Sequence, residues 1–127
     1  MDKIIIAIPR GRIIEECKDI LMRTSFAPES SLFDNDSRKL TFSSKDKNID
    51  YIKVRAFDVC TFVAFGAAQI GVAGEDVIRE FNYSEIYAPL DLNIGHCRLS
   101  VAALKTLLKK EDPETWSNIR IATKYPN

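Results

Sequence analysis

Apolar residues near the start of the chain change from a continuous run to a helical spacing. Residues 4–8 form an uninterrupted, largely β-branched run, which predicts a strand buried on both faces. Over residues 13–21 apolar side chains recur every three or four positions, which predicts an amphipathic helix ending near Thr24. The basic segment 9–12 separates the two. The chain therefore opens with a strand, a basic turn and a helix.

The next apolar positions alternate, as in strands. Residues 31–44 predict two short strands around a polar turn at 34–37. A further strand is predicted over 49–55, with aliphatic side chains on one face and longer polar or aromatic side chains on the other. The second face carries Tyr51, Lys53 and Arg55.

The following segments complete the alternation of strands and helices. Residues 57–69 predict a helix that is apolar nearly all round and therefore buried between layers. A short interior strand at 70–73 and a short helix at 76–81 come next. Later strands are predicted in "EIYAPLDL", "CRLSVAALK" and "IRIAT", with a helical turn at "PETW". The order predicts an α/β fold with a largely parallel sheet, whose ligands gather at the carboxyl ends of strands.

Composition narrows the class of protein. The 127 residues carry 18 basic and 18 acidic side chains, and this zero net charge argues against a nucleic-acid binder. Three separated cysteines without a CxxC pair indicate a reduced, cytoplasmic protein. The start of the chain has no signal-peptide pattern, and the most apolar stretch, 62–68, is too short to span a membrane. Any anion binding must then come from a few placed arginines.

Arginines stand at the carboxyl ends of two predicted strands. Arg10 and Arg12 flank Gly11 at the start of the first helix, where a bound phosphate would offset the unfavourable placement of cations near the helix dipole. The alternative is a pair of solvated arginines on a turn. Arg55 ends the strand at 49–55 and is a candidate for ligand contact, whereas Asp58 is interpreted as a carboxylate of the first helical turn.

Other polar positions have ordinary structural interpretations. In "GVAGEDV", Gly71 and Gly74 permit close backbone approach, and either Glu75 or Asp76 caps the following helix by default; no Walker or GxGxxG pattern is present. Arg38, beside Lys39, is by itself a solvated charge at a hairpin edge. His96 and its neighbouring cysteine are too few for a metal site, so no protein metal ligands are predicted.

Six stretches, taken in order, resemble the catalytic chain of the ATP phosphoribosyltransferase family of histidine biosynthesis. They are "IAIPRGRIIEE" at 6–16, "SRKLTF" at 37–42, "IKVRAFDV" at 52–59, "GAAQIGVAGEDVI" at 66–78, "LDLNIGHCRLSVA" at 90–102 and "RIATKYPN" at 120–127. Arg10 stands where a lysine is expected in this family, which keeps the charge and changes the hydrogen-bond geometry.

The resemblance implies a two-domain fold of the type II periplasmic-binding-protein kind, with the site in the interdomain cleft. It implies condensation of ATP with phosphoribosyl pyrophosphate, in which adenine N1 attacks the anomeric carbon and pyrophosphate leaves, with Mg²⁺ on the substrate phosphates. Arg55 and Arg38 are then expected to stabilise the departing pyrophosphate. The nucleotide- and phosphate-binding residues expected from the matched stretches are Arg10, Gly11, Arg12, Gly74, Asp76 and Asp91.

The resemblance also sets expectations for organisation. Residues 1–93 are expected to form domain I and residues 94–127 the incomplete beginning of domain II, because the family's phosphoribosyl-binding loop, a Glu-Ser-Gly-x-Thr-like segment, is not found. The chain alone is therefore expected to be inactive or very weak. Dimer-based homo-oligomers and a separate regulatory subunit are expected partners. The alternatives are a non-catalytic module that binds an anionic ligand, or a non-functional remnant.

Overall fold

A four-stranded mixed sheet forms the centre of the first of two compact units. The computed structural model describes residues 2–127, and the units are Met1–Gly95 and His96–Asn127. The strands are β1 (Ile4–Pro9), β2 (Thr41–Ser43), β3 (Ile49–Val54) and β4 (Ile70–Gly71), in the order β2-β3-β1-β4. β1 is parallel to β3 and β4, and β2 is antiparallel to β3. The fold is thus α/β with a mixed sheet. The predicted parallel pairing is confirmed for β1, β3 and β4.

Helices cover both faces of this sheet. The helices of the first unit are α1 (Arg12–Met22), α2 (Ala56–Ala64) and α3 (Glu75–Phe81), with a 3-10 turn at Ser30–Phe33. Alternate side chains of β1 point to opposite layers, so Ile6 and Ile8 pack with α1 while Ala7 packs with Val59 of α2. The uninterrupted apolar run at 4–8 is explained by this burial from two sides.

The two faces predicted for β3 are also confirmed. Tyr51 and Lys53 are buried on the side of α1, and the Tyr51 hydroxyl donates to the Phe26 carbonyl at 2.9 Å. Ile52 and Val54 pack on the opposite side with α2. Lys53 is therefore drawn into the protein by the register of its strand.

Helix α2 differs from its prediction in length and burial. It ends at Ala64 because the chain turns at Gly66, where φ is +78°, and the N–H of Gly66 donates to the Val63 carbonyl. Only Val59 and Cys60 are buried in it. The expectation of burial all round is wrong, since the side of α2 away from the sheet is partly exposed.

The prediction of a strand before the turn at 34–37 is also wrong. Residues 30–33 form the 3-10 turn instead, in which Leu32 is fully buried and its N–H donates to the Glu29 carbonyl at 3.1 Å. Local hydrogen bonds there satisfy the backbone without a neighbouring strand. The second predicted strand is confirmed as β2.

Segments 85–92, 97–105 and 119–123 were predicted as strands and form none. Their apolar side chains are mostly exposed, and within residues 2–127 the ladder pairs of β1 to β4 include none of these segments. The second unit instead contains α4 (Lys105–Lys110), which was not predicted, and a 3-10 turn at Pro113–Thr115 that matches the expected "PETW" turn.

Candidate functional site

The carboxyl ends of β1 and β3 bring two predicted arginines to the same edge of the sheet. Arg10 follows β1 and Arg55 follows β3, and these strands are adjacent and parallel. The N–H of Arg10 donates to the Val54 carbonyl at 2.8 Å, which continues the ladder one residue beyond the strand. Arg55 is also the residue that precedes the first turn of α2. This is the edge at which parallel sheets place their ligands.

An open cavity of about 300 Å³ lies at this edge. The lining residues combine cationic and apolar side chains: Arg10, Leu40, Lys53, Val54, Arg55, Asp58 and Phe62. Asp58 is the single carboxylate among them, against three cations. Within residues 2–127, no carboxylate lies within ion-pair distance of Arg10 or Arg55. The cavity thus has an excess of positive charge, which suits a polyanion.

Lys53 is the cation that the sequence did not identify as a site residue. The residue is 5% exposed, and its Nζ donates to the Asp34 carbonyl at 3.0 Å and lies 5.3 Å from the centre of the Phe42 ring. Burial, first, and then the nearby charge of Arg10 lower the pKa of Lys53. The sequence did offer one indication that Lys53 is buried: it shares a face with Tyr51 in a strand of the predicted parallel sheet, and such sheets are covered on both sides.

Arg38, the second expected catalytic residue, lies outside the cavity lining. It is exposed on the segment that joins the 3-10 turn to β2, between Asp34 and Leu40. The ends of that segment contact Lys53, through the Asp34 carbonyl and through the Leu40 carbonyl, which accepts from the Lys53 N–H at 2.9 Å. Arg38 is therefore two residues from Leu40, which lines the cavity, but does not line the cavity itself.

Gly11 and Arg12 stand at the start of α1. Gly11 has φ of +99°, a left-handed conformation that favours glycine, and its carbonyl accepts from the Ile14 N–H. Arg12 pairs with Glu16 at 3.2 Å. Of the basic turn, only Arg10 lines the cavity.

The remaining predicted residues form local turns and helix starts. Gly74 precedes α3, and Asp76 lies in its first turn. The Asp91 carboxylate accepts from the Asn93 N–H at 2.8 Å, which closes a turn. The cavity lining includes none of these three residues.

Neither a protein metal cage nor a membrane segment is found in the described chain. Residues 2–127 contain no group of three or more His, Cys, Asp or Glu side chains placed to hold a metal ion. No helix within the same residues is long and apolar enough to cross a bilayer.

Fold and site together define an α/β domain with a cationic cavity at the ends of its parallel strands. Residues 55–127 match the family model described as HisG: ATP phosphoribosyltransferase. The chain belongs to the ATP phosphoribosyltransferase family, and the resemblance seen in the sequence is confirmed at that level.

Curated relatives agree over nearly the whole chain. An ATP phosphoribosyltransferase from Rhodospirillum rubrum is 58% identical over 125 residues, which cover 98% of this chain and 55% of the relative. One from Paramagnetospirillum magneticum is 55% identical over 125 residues, covering 98% and 57%. The chain thus spans about half the length of the curated relatives it matches. A solved ATP phosphoribosyl transferase (HisG:HisZ) complex from Thermotoga maritima aligns with TM-score 0.47 and 32% identity, over 64% of this chain and 36% of that one.

Proposed function

We propose that this chain supplies the phosphate-binding half of an ATP phosphoribosyltransferase, which forms phosphoribosyl-ATP and pyrophosphate in the first step of histidine biosynthesis. The observation that carries the proposal is the cation cluster of Arg10, Lys53 and Arg55 at the strand ends of a chain that belongs to this family. Cations without ion-pair partners are suited to bind phosphate oxygens, and arginine can do so through two parallel hydrogen bonds.

The bonds that form and break in this reaction belong to the two substrates, so the protein takes no covalent part. A bond forms between adenine N1 and the ribose anomeric carbon, the bond from that carbon to oxygen breaks, and its electron pair leaves on pyrophosphate. Positioning of two polyanions and stabilisation of the departing charge are therefore the tasks of the site. We assign the stabilising role to Arg55, next to Lys53, with Arg38 as a contact that approaches when the substrate binds.

We assign the nucleotide to the part of the cavity next to Arg10. Arg10 lines the cavity and supports this assignment, while Arg12 has to exchange its ion pair with Glu16 for a phosphate contact. The other proposed contacts are Gly11, Gly74, Asp76 and Asp91, which in the described chain belong to turns and helix starts.

Magnesium is proposed to arrive with the substrate phosphates. Because residues 2–127 offer no cluster of three ligating side chains, phosphate oxygens and water would provide most of its coordination, as Mg²⁺ prefers. When bound in this way, the ion neutralises part of the charge on the phosphates. The chain's own contribution is the cation cluster.

The complete enzyme is proposed to be a two-domain, type II periplasmic-binding-protein-like protein of the cytoplasm, assembled from dimers and accompanied by a regulatory subunit. Because this chain spans about half the length of its relatives, we propose that it binds phosphates but does not sustain turnover by itself.

A chimera tests the proposal. The 125 residues of this chain that align with the Rhodospirillum rubrum relative, at 58% identity, replace the matching segment of that relative. Formation of phosphoribosyl-ATP is followed by absorbance for the chimera, for its Arg55→Ala variant and for the 127-residue chain. We expect activity in the chimera, a loss of at least about tenfold with Arg55→Ala, and none in the short chain.

The other outcomes discriminate between functions. A folded chimera that binds ATP and pyrophosphate without turnover favours the non-catalytic binding module. A folded chimera that binds neither ligand contradicts the proposal and favours the remnant. Full turnover by the 127-residue chain refutes the division of labour proposed here.

A further inference from the structure

Lys53 contacts both ends of the segment that carries Arg38. Its Nζ donates to the Asp34 carbonyl at 3.0 Å, and its backbone N–H donates to the Leu40 carbonyl at 2.9 Å. The segment 34–40 is thus held to a single residue of β3. We call it the clasped segment.

Burial of the Lys53 ammonium costs free energy that its contacts offset only in part, which suggests that the charge has a function. The residue is 5% exposed, and its ammonium lies over the ring of fully buried Phe42. No carboxylate of residues 2–127 forms an ion pair with Lys53, so a carbonyl and an aromatic face are its stabilising partners. A buried charge with such partial compensation is disfavoured relative to an apolar side chain of similar length.

The charges around Lys53 come from several elements. Arg10, which follows β1, disfavours the ammonium, while Asp34 of the clasped segment and Glu15 of α1 favour it. A polyanion in the cavity would offset the repulsion between Lys53 and Arg10. The ammonium is therefore more stable when the site is loaded than when it is not.

The geometry also connects Lys53 to both expected catalytic arginines. Lys53 and Arg55 are two residues apart at the end of one strand, and Leu40, at the end of the clasped segment, lines the cavity with them. The hydrogen bonds of Lys53 therefore link the clasped segment to the strand end that precedes Arg55.

We propose that Lys53 is a positioning residue, which holds the clasped segment against the cavity so that Arg38 can reach the anion bound at Arg55. This inference rests on the proposed function, and it adds a residue and a role to it. It predicts that the contributions of Lys53 and Arg38 to anion binding are coupled, since one acts through the other.

A double-mutant cycle tests the coupling. Inorganic pyrophosphate, without a metal, is titrated calorimetrically into the 127-residue chain and into Lys53→Met, Arg38→Ala and the double variant. We expect Lys53→Met to weaken binding at least about tenfold and Arg38→Ala to weaken it severalfold in the parent, but to add little in the Lys53→Met background.

Lys3→Met is the matched control. It removes the same charge from the opposite end of the sheet, where Lys3 pairs with Asp50 at 2.8 Å, and pyrophosphate affinity should stay within about twofold of the parent. Circular dichroism and urea unfolding show whether each variant is folded. A role in stability alone would lower the urea midpoint without changing the affinity of the folded protein.

The outcomes separate the inference from the proposed function. Absence of pyrophosphate binding by the folded parent overturns both. Binding by the parent with equal affinity in Lys53→Met, or with independent effects of Lys53 and Arg38, overturns the inference alone. If Lys53→Met does not fold, Lys53→Gln decides. Its side chain is uncharged and ends one atom short of the Lys53 Nζ that reaches the Asp34 carbonyl, so unchanged affinity with unchanged Arg38 dependence refutes the positioning role.

Discussion

The Glu16 carboxylate accepts a hydrogen bond of 2.6 Å from the backbone N–H of Gly95, a residue 79 positions further along the chain. The same carboxylate pairs with the Arg12 guanidinium at 3.2 Å. Gly95 has φ of +67°, and a Cβ there would lie 2.6 Å from Ile13 Cδ1. One side chain of α1 thus fixes both a proposed ligand-binding arginine and the end of the first unit.

Substitution Glu16→Ala should therefore release both contacts. We expect the free energy of unfolding to fall by about 1–3 kcal/mol, because a charge-assisted hydrogen bond is lost and a surface ion pair contributes little. Urea unfolding followed by circular dichroism measures the change. Asp19→Ala removes an exposed carboxylate from the same helix and should change stability by less than about 0.5 kcal/mol. Equal losses in both variants would show that the Gly95 contact is not stabilising.

Gly71→Ala should be destabilising for a steric reason. A Cβ at position 71 would lie 2.6 Å from Val59 Cγ1 and 3.0 Å from Val63 Cγ2, because α2 packs closely on β4. We expect a loss of about 1–3 kcal/mol in urea unfolding. Val59→Ala in the same chain provides room for the new methyl group. The double variant should thus be more stable than the sum of the single losses predicts, and strict additivity would contradict the packing argument.

Glu29 should make stability depend on pH in acid. Hydrogen bonds from Lys39, then Ser43 and Ser31, lower the pKa of Glu29 from its ordinary value of 4.5 to about 2. Since the folded pKa is lower than the unfolded one, the stabilising effect is fully present above pH 4.5 and is lost as the pH falls towards 2.

The variant Glu29→Gln isolates this effect. The stability advantage of the parent over Glu29→Gln should be largest above pH 4.5 and should shrink towards pH 2, as measured by urea unfolding across that range. Asp36→Asn serves as the control for loss of a carboxylate in the same region. A difference between parent and Glu29→Gln that stays constant with pH would refute the assignment.

The sequence predicted those elements whose burial is decided by local pattern. The apolar run at 4–8 identified β1 because the strand is covered on both faces, and alternation identified the two faces of β3. The strand expected over 97–105 does not form for the opposite reason. Hydrophobicity favours a strand, but a strand also needs a hydrogen-bonded partner, and the ladder pairs within residues 2–127 do not include this segment.

The candidate site could be predicted only in part. Arg10 and Arg55 were identifiable because each follows a predicted strand, and adjacent parallel strands bring such residues together. Lys53 was missed because its position inside the strand favours a structural role, whereas its function depends on contacts with Asp34 and Leu40 that no local pattern encodes. The same limit applies to Arg38, since the folding of the clasped segment decides its distance from the cavity.

Arg10 stands where the family resemblance leads one to expect lysine. Arg10 lines the cavity, and its charge contributes, after burial, to the lowered pKa of Lys53. If its charge is what binds a phosphate, Arg10→Lys should weaken pyrophosphate binding by less than about threefold, while Arg10→Ala should weaken it about tenfold. If a two-pronged contact is what matters, both variants should lose affinity equally.

Calorimetric titration with pyrophosphate distinguishes these cases, and Arg79→Ala is the control. Arg79 pairs with Glu75 at 2.6 Å on the surface of α3 and does not line the cavity, so its loss should leave pyrophosphate affinity nearly unchanged. Equal weakening by Arg79→Ala and Arg10→Ala would mean that pyrophosphate responds to the overall charge of the chain. Because 18 basic and 18 acidic residues leave no net charge, we expect the placed cation, not the overall charge, to determine binding.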